Sequence, residues 1–82
     1  SDLFEAHPSL TILPVTTELR AAPLFRIDIE PSKDNGLRKP SQVMVDKAHT
    51  VARSKVGRTI GRLEDEAMGA VNRSLAVFLG FA

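Results

Sequence analysis

The chain has no cysteine, no tryptophan and no tyrosine, and its aromatic residues are four phenylalanines: Phe4, Phe25, Phe78 and Phe81. Without cysteine there is neither a disulfide framework nor a thiolate zinc site. That suits a reducing compartment, so the cytoplasm is the expected location. So few rings leave little material for a base-stacking platform, which uses exposed aromatic side chains. No apolar run approaches the length of a membrane-spanning helix, and no membrane association is expected. A dominant charge is lacking as well. The formal net charge is +1, so any contact with a polyanion has to come from a local patch. The two histidines, His7 and His49, lie far apart and lack suitably spaced carboxylates. They do not make a metal site, and neither a metal nor another cofactor is expected. Eighty-two residues suffice for one small domain with a modest core.

What is present alternates between strand-like and loop-like stretches. Ser1 to Ser9 is polar and irregular, with room for a short turn near Leu3-Phe4, and its opening residues do not look like an initiator sequence. A preceding segment is expected. Leu10 to Thr16, LTILPVT, is a nearly continuous apolar run of strand length. Pro14 cannot donate to a ladder, which favours an edge or a bulge there. A polar corner follows from Glu18 to Pro23. From Leu24 to Glu30, Phe25, Ile27 and Ile29 alternate with Arg26, Asp28 and Glu30, the period of a half-exposed strand. Asn35-Gly36 is a turn signal within the 31–40 loop. It predicts a hairpin from strand 24–30 into strand 41–47.

Ser41 to Leu63 is the stretch that the other elements need as a partner. Val43, Val45 and Val51 share a face with Lys47 and His49. The strand is therefore expected either to bend near Lys47 or to line a pocket. Arg53 to Gly57 reads as a turn, and Arg58 to Leu63 as another short strand. Acidic residues Glu64, Asp65 and Glu66 complement the dipole at the start of a helix that runs to about Leu79. Met68, Val71, Leu75, Phe78 and Leu79 form its apolar stripe, and Gly80 its C-cap. The fold class is α+β.

The segment PSQVMVDKAHTVARSKVGRTIGRLEDEAM, with VNRSLAVFLG after it and LTILPVTTELRAAPLFRIDIEP before it, resembles the C-terminal part of the MazF/PemK (Kid-like) toxins. The likeness covers nearly the whole chain. It implies a small antiparallel, barrel-like (SH3-like) sheet with a C-terminal helix, as a homodimer, here N-terminally truncated. It also implies sequence-specific endoribonuclease activity on single-stranded RNA (mRNA), neutralised by a cognate antitoxin. The stretch 41–63 then becomes the expected dimer and antitoxin region.

Such an enzyme makes a ribose 2′-OH attack the adjacent phosphate. It needs a proton acceptor, a donor for the leaving 5′-oxygen, and donors that stabilise the phosphoryl oxygens. The resemblance implies that Thr16 is the catalytic threonine and Thr17 its neighbour at the RNA. Without the resemblance, both hydroxyls read more readily as turn-satisfying groups than as a site. Asp46 falls where Kid-like members carry a functional acid, which makes it a catalytic candidate; it also reads as an ordinary surface acid. His49 is a candidate proton shuttle, or a lone strand histidine with a structural role only. Arg20, Lys47, Arg53 and Lys55, with Thr17, are the expected RNA contacts. Between Asp46 and Glu64 the charges are Lys47, Arg53, Lys55, Arg58 and Arg62, with no acid among them. This run reads as a phosphate-tracking patch that an acidic antitoxin segment would compete for, or as a solvated face.

Departures from the family pattern matter. Met44 stands where Kid-like members have an arginine, and Lys47, His49 and Ala52 replace other family residues. The family's catalytic arginine belongs to an Arg-Pro context upstream of Ser1, so these residues alone are expected to be catalytically crippled. Two alternatives therefore stand beside the nuclease: a CcdB-like toxin that binds DNA gyrase, and a catalytically inactive module that only engages an antitoxin.

Overall fold

The computed structural model describes residues 7–21 and 24–81. The expected turn at Leu3-Phe4 and the end of the polar corner at Pro23 lie outside the described residues. Strands β1 (Ser9–Ile12), β2 (Val15–Thr16), β3 (Arg26–Ile29), β4 (Ser41–Met44) and β5 (His49–Ala52) precede one long helix, α1 (Asp65–Leu79). Among the described residues they form two antiparallel sheets, β1–β5 and β2–β4–β3.

The sheets share two chain segments. The 9–16 segment pairs with β5 through its first half and with β4 through its second. Between the two pairings, Leu13 and Pro14 stand opposite residues 44–48. The surplus on that side is the three-residue 3-10 turn Val45–Lys47. So the expected single strand over Leu10–Thr16 is broken, and the strand expected over 41–47 ends at Met44. Pro14 supplies the physical reason. It has no N–H to donate, but its carbonyl oxygen accepts the Met44 N–H at 2.8 Å. The bend expected near Lys47 is this turn.

The turn drives Val45 into the core, where none of its surface remains exposed. Ile29, Val43 and Val71 are buried with it, and Leu13, Phe25, Ile27, Leu37, Leu63, Ala67 and Leu75 pack around them. The predicted hairpin forms, with Ile29 opposite Ser41 and Arg26 opposite Met44.

Helix α1 docks through a narrower stripe than its sequence suggests. Val71 and Ser74 are buried, whereas Met68 is 40% and Leu79 55% exposed. The Ser74 Oγ–H donates to the Leu24 carbonyl oxygen at 2.6 Å. Phe78 meets Phe25 edge-on, with ring centroids 5.3 Å apart. Gly80 ends the helix at φ 85°. The Phe81 N–H bonds Ala76 O at 2.8 Å and the Gly80 N–H bonds Val77 O at 3.1 Å, the paired bonds of a Schellman cap.

Residues 58–63 are not a strand. They cross over the 31–37 loop, with the Arg62 N–H bonded to Asp34 O at 2.7 Å. The approach is so close that a Cβ on Gly61 would lie 2.5 Å from the Asp34 oxygen, and one on Gly36 would lie 2.2 Å from Ile60 O. Gly36 also has φ 68°, the left-handed conformation that Asn-Gly favours. Asn35, only 4% exposed, organises the loop. Its Oδ1 accepts from the Ser32 and Leu37 N–H groups, and its Nδ2 donates to Glu30 O. Ser32 Oγ–H in turn donates to the Glu64 carboxylate at the helix start. That bond is the main cause holding the Glu64 carboxyl below its ordinary range; the Glu64 backbone N–H acts in the same direction, burial opposes them, and the Asn35 side chain adds the least.

Two predictions follow from this crossover. Gly61→Ala lowers stability by about 2 kcal/mol through overpacking. Gly57→Ala, whose Cβ would meet nothing within 4 Å, stays within about 0.5 kcal/mol of the parent. Equal denaturant midpoints for the two variants would show that the backbones do not approach this closely. For Glu64 the folded carboxyl is lowered, so its contribution is complete above the ordinary value of 4.5 and is lost as pH falls through the lowered one. Acid unfolding curves of the parent and Glu64→Gln should therefore converge as pH drops below that ordinary value. Curves that stay parallel throughout would contradict the Ser32–Glu64 link.

Candidate active site

The three-stranded sheet has two chemically different faces. Val15, Val43 and Ile27 lie in one cross-strand row; Thr16, Gln42 and Asp28 lie in the next. Because side chains alternate along a strand, the second row shares its face with Arg26 and Met44, which are also paired. This polar face is capped by the corner that leaves β2.

Gln42 is 5% exposed, and all its amide groups are engaged. Its Nε2 donates to the Arg20 carbonyl oxygen at 2.9 Å and to Asp28 Oδ1 at 2.8 Å. Its Oε1 accepts from the Arg20 N–H at 3.0 Å and from Arg26 Nη1 at 2.8 Å. The side chain therefore holds both backbone groups of Arg20, as a neighbouring strand would. It pins the corner over the sheet.

Thr16 stands at the start of that corner. Its Oγ1 accepts the Glu18 N–H at 3.0 Å, which is the turn-satisfying role open to it from sequence. This bond uses an oxygen lone pair only. The hydroxyl proton stays available to donate to another acceptor. Glu18 is held from its other end too, because Arg26 Nη1 donates to the Glu18 carbonyl oxygen at 2.9 Å. Thr17 and Arg20 are exposed on the same corner, and Arg20 pairs with the Glu18 carboxylate at 3.3 Å.

The other predicted residues lie elsewhere. Asp46 and Lys47 are exposed on the 3-10 turn. His49 begins β5 opposite Ile12, four positions from Thr16 along the paired strand, or up to roughly 13 Å in extended chain. Its Nδ1 lies 2.9 Å from the Lys47 carbonyl oxygen. A carbonyl can only accept, so Nδ1 carries the proton and Nε2 is the open nitrogen of the neutral ring. No hydrogen bond among the described residues joins Asp46 or His49 to Thr16. Arg53 Nε donates to the His7 carbonyl oxygen at 2.8 Å, and Lys55 is exposed in the following turn. Arg58 borders a surface hollow with Gly36 and Arg38, and Arg62 borders another with Asp34, Glu64 and Asp65. The basic run is thus strung along several places.

Sequence reasoning missed Gln42, Arg26, Asp28 and Glu18. Arg26 and Asp28 read as the solvated side of an alternating strand. Gln42 was the one available signal, a long polar side chain inside the apolar run QVMV. At Met44, where the family resemblance leads one to expect an arginine, the sulfur lies 3.5 Å from Arg26 Nη2. A guanidinium does occupy this part of the face, but it comes from the opposite strand.

A small α+β chain with antiparallel sheets and one C-terminal helix has counterparts among known proteins. The family described as PemK-like, MazF-like toxins of type II toxin–antitoxin systems matches residues 1–79, and the chain belongs to that family. It is 46% identical, over 81 residues, to a protein of Mycolicibacterium smegmatis named as a probable endoribonuclease MazF; the match covers 99% of this chain and 74% of that protein. Solved structures agree in fold. Mycobacterium tuberculosis toxin MazF-mt6 superposes with a TM-score of 0.85 at 23% identity, over 99% of this chain and 79% of that one. A mycobacterial endoribonuclease in complex with its cognate antitoxin gives 0.81 at 21% identity, over 99% and 74%.

If Gln42 pins the corner, Gln42→Leu should destabilise the fold by about 2 kcal/mol, since several partly buried bonds are lost together. It should also accelerate hydrogen exchange at the Arg20 amide. An Arg20 amide protected as in the parent would refute the clamp.

Proposed function

We propose that this chain is the RNA-cleaving toxin of a toxin–antitoxin pair and that the Thr16 corner is where it engages the scissile phosphate. Support for the activity comes from family membership and from the 46% identical relative that bears the name endoribonuclease. The observation that carries the site is the Thr16 hydroxyl. It is anchored by the Glu18 N–H at 3.0 Å, yet keeps its own proton to donate to a phosphoryl oxygen as charge develops there. The Gln42 clamp holds the corner still, so the donor is oriented before substrate arrives.

Asp46 and His49 are proposed as further catalytic residues that act along the RNA away from Thr16. The open Nε2 of His49 is the group suited to accept a proton. Thr17, Arg20, Lys47, Arg53 and Lys55 are proposed RNA contacts. The substrate is single-stranded mRNA in the cytoplasm, and the cognate antitoxin restrains the enzyme. Among the described residues no helix is long and apolar enough to cross a membrane. A homodimer is supported by apolar side chains left outside: Val15 is 49% and Ile60 59% exposed, beside a hollow that Leu37 and Leu63 also line.

The test is cleavage of single-stranded RNA by the full-length protein and its Thr16→Ala variant. The variant should cut at least about 100-fold more slowly, the usual loss of one transition-state donor, with its unfolding midpoint unchanged. A full-length protein that leaves RNA intact refutes the nuclease. A Thr16→Ala protein as fast as the parent refutes the site.

A further inference from the structure

Arg26 is a half-buried cation with no direct ion pair among the described residues. Its guanidinium is fixed by neutral acceptors: the Glu18 carbonyl oxygen, Gln42 Oε1 and the Met44 sulfur. Neither nearby carboxylate pairs with it. The Glu18 carboxylate is taken by Arg20, and the Asp28 carboxylate accepts from Gln42 Nε2. Gln42 thus does two things at once. It orients Arg26 with its oxygen and holds Asp28 with its nitrogen, so the two are bridged by the amide and do not form a direct ion pair.

The donor count points outward. A guanidinium has five N–H groups and no acceptor. Two on Nη1 go to Glu18 O and Gln42 Oε1, and one on Nη2 faces Met44 Sδ. The Nε–H and the second Nη2–H have no partner among the described residues. A fixed guanidinium outside any direct ion pair, with two open donors, suits the planar, bidentate recognition of a phosphate. It also stands next to Thr16, because the two side chains grip opposite ends of the same residue: Thr16 Oγ1 holds the Glu18 N–H and Arg26 holds the Glu18 carbonyl oxygen.

We propose that Arg26, aimed by Gln42, binds a phosphodiester oxygen of the RNA beside the one engaged by Thr16. The inference rests on the nuclease reading above and deepens it by adding a substrate-binding residue. Arg26 serves as a backbone contact that positions the strand and carries no base preference.

The experiment measures binding of the full-length protein to a randomised pool of 2′-O-methyl RNA, which cannot undergo 2′-OH attack, across a salt series. Removing one phosphate contact from a single strand reduces the slope of log affinity against log salt by about 0.7. Arg26→Gln should show that reduction. Arg26→Lys keeps the charge, so it should keep the parent slope while binding about tenfold more weakly, because the fork is gone. A purely structural role would lower affinity and the unfolding midpoint together and leave the slope where it was. An unchanged slope in Arg26→Gln overturns the proposal. If that variant does not fold, parent-level affinity in Arg26→Lys overturns it. Cleavage of ordinary single-stranded RNA by the parent separates the two readings. Without cleavage the nuclease assignment fails and takes this inference with it; with cleavage, an unchanged slope removes Arg26 alone.

Discussion

Val45 has no surface left to solvent, and it occupies the turn at which β4 stops and the pairing partner of the 9–16 segment changes. Burial of its side chain, worth about 2 kcal/mol, requires the backbone to leave the strand at Met44. Pro14, opposite, has no N–H that a continuing strand could use. The Val45 N–H instead donates to Phe25 O at 2.9 Å. One residue thus ties the turn to the start of β3 and to the core under the helix. The placement of the polar face depends on this, since β4 is the central strand that carries Gln42.

The core is small and built mostly of valine and isoleucine. Its edges are completed by polar devices: the Asn35 loop, the Ser74–Leu24 bond and the Gln42 clamp. In a domain of this size, each such device is a sizeable share of a marginal total. It follows that the corner bearing Thr16 is held by hydrogen bonds from the Gln42 amide, the Arg26 guanidinium and Thr16 itself. That is a geometry suited to fixing a hydroxyl at the surface.

The sequence disclosed the elements whose reasons are local. The alternation in 24–30 marks β3 because one side of it is buried. Asn35-Gly36 and Gly80 announce themselves through the positive φ that glycine alone adopts freely. The acids at 64–66 mark the helix start. Features with distant causes were hidden. Residues 58–63 have strand-like composition, but composition does not reveal that their backbone bond goes to the 31–37 loop and not to a strand. Met68 and Leu79 fit a helical stripe, yet the helix docks through Val71 and Ser74 and leaves them outside. The Thr16 corner was legible through family resemblance. Its polar surroundings were not, because Gln42 reaches partners 14 to 22 positions away.

The three-residue surplus at Val45–Lys47 also acts as a parity setting. Side chains on a strand alternate with period two, so the number of residues in that turn decides which β5 side chains face inward. Losing or gaining one residue there would exchange the Val51 side with the Thr50 side and turn His49 to the other face. Changing the length by two would preserve every facing and alter only the size of the bend. Descendants of this chain should therefore vary the turn in even steps, and an odd change should travel with compensating substitutions throughout β5.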